Sequence, residues 1–196
     1  MSTPRRGTLI AAALASAAIL AVSGVAVWQH LGGAGGDTPA TREAVMIPVD
    51  SAIAAAHLNS ANCAVRLAEI TGTDPIVDIT AELERLETCG SAARRLAEEG
   101  YGALDVAAAV TGAPGAAPSP QRAHYLDAAG SLLSVYELQG DDFDVIYDML
   151  LRAHASEEPL TSLGSDITYI LGTTTPDVAA GQEEAARARD AYRRRG

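Results

Sequence analysis

Two cysteines, Cys63 and Cys89, carry the one covalent chemistry to which residue type and spacing point in this chain. They stand 26 residues apart with no C-x-x-C motif, which disfavours a redox-active pair. In an oxidising compartment two lone cysteines most simply form one intrachain disulfide. Closing a loop of that length stabilises by roughly 3 kcal/mol in the chain-entropy model. Bridging between chains, or a free or metal-binding pair, are the alternatives.

The other reactive side chains do not converge. His30, His57, His124 and His154 are scattered, and no two share a helix at i, i+4, as zinc or haem ligation would favour. His57 is the one expected to be buried. Asp141, Asp142, Asp144 and Asp148 form the densest acidic patch, but the Gly and terminal Glu of a calcium loop are missing. Helix capping and first-turn positions account for most of them. The pairs Glu98-Glu99, Glu157-Glu158 and Glu183-Glu184 invite a glycosidase reading. Neighbours on a helix diverge by about 100°, however, and cannot flank one bond. No G-x-S-x-G, S-x-x-K or HExxH occurs. The chain reads as no enzyme, with no cofactor and no metal expected. Arg187, Arg189 and the run Arg193, Arg194, Arg195 gather positive charge at the C-terminus. They suit the end of a helix dipole and a solvated tail, or contact with anionic lipid or wall polymer.

Whether the cysteines pair depends on where the chain resides, and the first 30 residues bear on that. Residues 1–7 contain Arg5 and Arg6; Thr8 to Trp28 is uncharged and mostly apolar. At ~1.5 Å per residue this segment reaches about 30 Å, the thickness of a hydrocarbon core. Flanking arginines keep the N-terminus in the cytoplasm, so all that follows lies outside. A cleaved signal peptide is the competing reading, with small residues at Ala21-Val22-Ser23 or Gly24-Val25-Ala26. The apolar run continues to Trp28, an interfacial anchor residue, which favours retention. The expected membrane partner is the bilayer, through Thr8–Trp28.

Composition narrows the partners further. All 14 basic residues are Arg. With abundant Ala, this suggests a GC-rich bacterial genome. Beyond the apolar segment there are 25 acidic residues against 12 Arg, a net of −13. That balance argues against nucleic acid, which demands a basic face. One Phe and one Trp leave the core to Leu, Ile, Val and Ala.

The elements that must position these residues read as all-α. Residues 29–49 form a Gly-rich tether, and residues 50–196 an exported domain with a boundary candidate at 112–119. About six antiparallel helices are expected. The first runs from Ser51 to about Ile70, with Ile53, His57, Ser60, Ala64 and Leu67 on its inner face. A second starts near Pro75 and ends at Gly100, and a short one covers Leu104–Val110. Ser119 and Pro120 cap a helix to about Leu138, which Gly140-Asp141-Asp142 stops before the next. Another starts near Pro159, and Pro176 opens the last, with Val178, Ala185, Ala186 and Tyr192 facing inward. On this scheme the cysteines sit one or two turns out of level, unless the second helix starts late, near Ile79. Gly90 falls on a buried face, where a neighbouring helix must come close; Gly130 and Gly164 mark short breaks.

The resulting expectation is a noncatalytic interaction or scaffolding module of a bacterial envelope, with an envelope protein as its partner. A binding module for a small apolar or cationic ligand is the alternative, and an extracytoplasmic enzyme a third.

Overall fold

Thr38 and Pro39 begin the first helix. The Thr38 hydroxyl accepts from the Thr41 amide at 3.1 Å, and Pro39 takes the first helical position, where its missing N–H costs nothing. The computed structural model describes residues 37–71, 80–110, 119–156 and 160–194. Thr8–Trp28, most of the tether, residues 72–79, the loop at 111–118 and Arg195 lie outside these, so the expectations placed there do too. Among the described residues no helix is long and apolar enough to cross a membrane.

Every described element is helical: α1 (Pro39–Thr71), α2 (Thr80–Leu86), α3 (Cys89–Ala109), α4 (Pro120–Ala155), a 3-10 turn (Leu160–Leu163) and α5 (Gly164–Arg194). Four long helices and one two-turn helix replace the expected six. α4 lies between α3 and α5, and α1 packs chiefly on α3 while touching α4 and α5. The core divides into three layers along the bundle. Leu67, Ile70, Leu86, Phe143 and Ile146 fill the pole beside the cysteines. Ala56, Leu132, Leu133 and Tyr136 fill the middle. Val45, Val49, Tyr125, Ala129 and Tyr192 fill the opposite pole.

The missing breaks each have a packing reason. Helix α1 starts twelve residues earlier than expected and runs through Pro48. A mid-helix proline costs about 3 kcal/mol, but Val45, Met46 and Val49 are buried on either side of it and offset that cost. Residues 39–49 are therefore helix, not tether. Gly140 does not stop a helix; it lets two helices meet. A Cβ there would stand 2.8 Å from the Ala93 Cβ, and one on Gly90 would stand 2.6 Å from the Gly140 carbonyl oxygen. Gly90 thus lies at a close approach, as its place on a buried face predicted. Helix α3 runs through Gly100 to Ala109, α4 through Gly130, and α5 through Gly172, Thr173–Thr175 and Pro176. Buried Ile167, Thr174 and Val178 hold α5 across that stretch. Its inner face includes Ala188, whereas Ala186 is exposed.

Candidate functional site

The cysteines meet: Cys63 and Cys89 are joined with an S–S distance of 2.08 Å and a Cα–Cα distance of 6.0 Å. Their level positions come from a break at residues 87–88, so Cys89 opens α3 instead of lying deep within a helix from Pro75. The Asn59 side chain donates to the Cys89 carbonyl at 3.3 Å, and Arg66 donates to the Arg85 carbonyl at 2.9 Å. Both bonds tie α1 to the turn that carries the disulfide.

At the opposite pole the polar groups are buried instead. Arg122, 1% exposed, extends from the first turn of α4 to the end of α3. Its guanidinium donates to the carbonyls of Ala107 and Ala108, two acceptors that the helix leaves unpaired. The positive charge also suits the negative end of the α3 dipole. Asp37 stands 3.8 Å from it and accepts from the Ser119 hydroxyl at 2.8 Å. Ser119 caps α4 by accepting from the Arg122 amide, with Pro120 behind it, as the sequence predicted. The Tyr192 hydroxyl is buried beside this group and has no hydrogen-bond partner. Burial pushes its pKa up to about 12, and the Asp37 charge adds to the effect. Next to it the Tyr125 hydroxyl donates to Asp50 at 2.8 Å, while Arg189 donates to the other Asp50 oxygen at 2.7 Å. Burial, then the bond to Asp50, raises Tyr125 further still. These groups clamp the start of α1 to α4 and α5.

The remaining candidates are separated by the fold. His57 is exposed rather than buried, because the inner face of α1 is Ala56, Ser60, Cys63, Leu67 and Ile70. Its Nδ1 lies 2.7 Å from the Gln182 amide nitrogen, which also donates to the Tyr136 hydroxyl at 2.7 Å. His124 pairs with Glu184 at 3.0 Å on the other side of α5. The acidic patch caps nothing: it lies inside α4. There Arg94 holds Asp141 and Asp144 at 2.9 and 2.7 Å, and Asp142 accepts from Thr174. Among the described residues no three His, Cys, Asp or Glu side chains gather as metal ligands would. Glu99 pairs with Arg95, and Glu183 and Glu184 with Arg187. Arg194 pairs with Asp190, and Arg193 is exposed. An open depression of about 450 Å³ lies among Ala186, Arg187, Asp190, Ala191 and Arg194. One helix lines it, so it is not a ligand pocket between helices.

The sequence reading missed the outer face of α1. Ile47, Leu58 and Val65 are 63%, 60% and 59% exposed. Steps of 11 and 7 residues bring all three to nearly the same azimuth on a helix. No Asp, Glu or Arg occurs from Ser51 to Val65, in a chain of net charge −11. The signal was visible as a 15-residue uncharged stretch, but abundant alanine concealed which side faced inward. Comparisons with family models, with curated proteins and with solved structures find no match.

Proposed function

We propose that the chain is a membrane-anchored, extracytoplasmic helical module that acts as a noncatalytic interaction or scaffolding part of a bacterial envelope. The observation that carries this reading is the apolar outer face of α1. Exposing three large aliphatic side chains along one uncharged helix wastes hydrophobic burial, and contact with a protein recovers it. The 21-residue apolar segment Thr8–Trp28 and the paired cysteines support placement outside the cytoplasm.

The arrangement of the poles supports contact between the C-terminal arginines and an anionic surface. Tyr192 shares a core layer with Val45 and Met46, so Arg193 and Arg194 follow at the pole where α1 begins. An anchor preceding α1 would hold that pole towards the headgroups.

Site-specific photocrosslinking in native membranes tests the reading, with the probe at position 58 and a control probe at exposed Tyr169. A reproducible adduct from position 58 alone is the expected result. Adducts from neither position, or equally from both, overturn it. For the arginines, replacing Arg193, Arg194 and Arg195 by Ala should weaken binding to vesicles containing anionic phospholipid; unchanged binding refutes the contact.

A further inference from the structure

The outer face of α1 has the geometry of a helix-pairing seam. Ile47, Ser51, Ala54, Leu58, Ala61 and Val65 are all exposed and recur at alternating steps of four and three. That spacing is the a/d repeat of a coiled coil, in which each side chain inserts between four of the facing helix. The core-facing residues Val49, Ala56, Cys63 and Ile70 recur every seven residues on the opposite side, so one helix carries both faces. Large residues alternate with Ser and Ala, which lets a second helix axis approach to about 8 Å.

We infer that this face pairs with the same face of a second copy of the chain, an inference that rests on the interaction reading above. Charge selects that occupant. Each copy carries a net charge of −11, so like charges oppose approach over most of the surface. The stretch from Ser51 to Val65 contains no Asp, Glu or Arg, and the nearest carboxylate, Asp50, is already held by Arg189 and Tyr125. Two copies can therefore meet along this line without placing charges against each other. A two-fold contact needs one self-complementary patch on each partner, which an uncharged heptad stripe supplies.

The area is consistent with such a pair. From Ile47 to Val65 the stripe runs about 27 Å, on a helix 10–12 Å across. Two such faces pressed together remove on the order of 1,000 Å² of accessible surface, the lower limit for a specific pair. Association in the micromolar range follows, strengthened where copies share a membrane and their effective concentration rises.

Sedimentation velocity of the full-length chain in detergent micelles, from 1 to about 100 µM, tests the inference. Concentration-dependent dimers are expected. Leu58→Glu should weaken them at least tenfold while leaving the helical signal and Tm unchanged, because Leu58 faces solvent in the monomer. Val145→Glu, at an equally exposed site on α4, should leave association unaltered. A monomer at every concentration overturns the second copy, as does a dimer indifferent to Leu58→Glu or equally sensitive to Val145→Glu. A monomer that still gives a position-58 adduct of foreign mass overturns the second copy alone. A monomer with no adduct removes the interaction reading as well.

Discussion

The two poles of the bundle solve the same problem by different means. At one, a disulfide joins α1 to α3 over an aliphatic layer of Leu67, Ile70, Leu86 and Ile146. At the other, Arg122, Asp37, Tyr125 and Asp50 replace the covalent link with buried and half-buried hydrogen bonds. A disulfide acts largely by restricting the unfolded chain. A buried polar network acts on the native state and is costly when any partner is lost. The covalent pole should therefore tolerate local change, and the polar pole should not.

The largest expected effect is at Arg122. Arg122→Ala removes the donor to Ala107 and Ala108 and leaves Asp37 without its cation, which should cost about 4 kcal/mol. Urea denaturation checks it, and Arg122→Met should recover part of the loss, since an apolar side chain of similar volume leaves fewer unpaired groups. A loss below 1 kcal/mol would remove the contrast between the poles. Replacing Cys63 and Cys89 by Ala should cost about 3 kcal/mol. Hydrogen exchange should then quicken in α2 and the start of α3, while the amides near Arg122 stay protected.

A finer test uses glycines. Gly90→Ala places a Cβ within 3 Å of the Asp144 carboxylate and the Gly140 backbone, so a loss of about 2 kcal/mol is expected. Gly102→Ala, with open space around it, should instead stabilise by up to about 1 kcal/mol, the helix-propensity gain. Thermal melts of both variants decide. The smallest effect is alkaline. Tyr192 keeps its proton to about pH 12 in the folded chain, against ~10 when unfolded. Its contribution is complete below pH 10 and disappears as pH rises from 10 towards 12, because the unfolded chain ionises first. Tyr192→Phe should lose less Tm across that window than the parent chain.

Helix content and the capping of α4 were legible in the sequence, because Ser119-Pro120 is a local signal. Thr38-Pro39 carries the same signal, but the glycines before it and Pro48 after it made the stretch read as tether. Gly140, Gly172 and Pro176 read as stops because local propensity says so; buried neighbours contributed by other helices carry the chain through. The inner side of α1 was misphased by about one position, since alanine fits either face and gives periodicity little contrast. That error placed His57 inside and concealed the stripe on the outside. The Cys63–Cys89 pairing followed from their number and expected compartment, but their matching height did not. It depends on the break at residues 87–88, which no proline or glycine marks.

Asp37 is fastened to Ser119 and Arg122 at the first described residue, so the bundle has a fixed foot. Measured along α1 at ~1.5 Å per residue, Ile47 stands about 15 Å above that foot and Val65 about 42 Å. For a chain held by Thr8–Trp28, only eight residues separate the anchor from the foot, a leash of at most about 28 Å. The helix then works as a stand-off post, setting the height at which whatever binds its outer face is displayed.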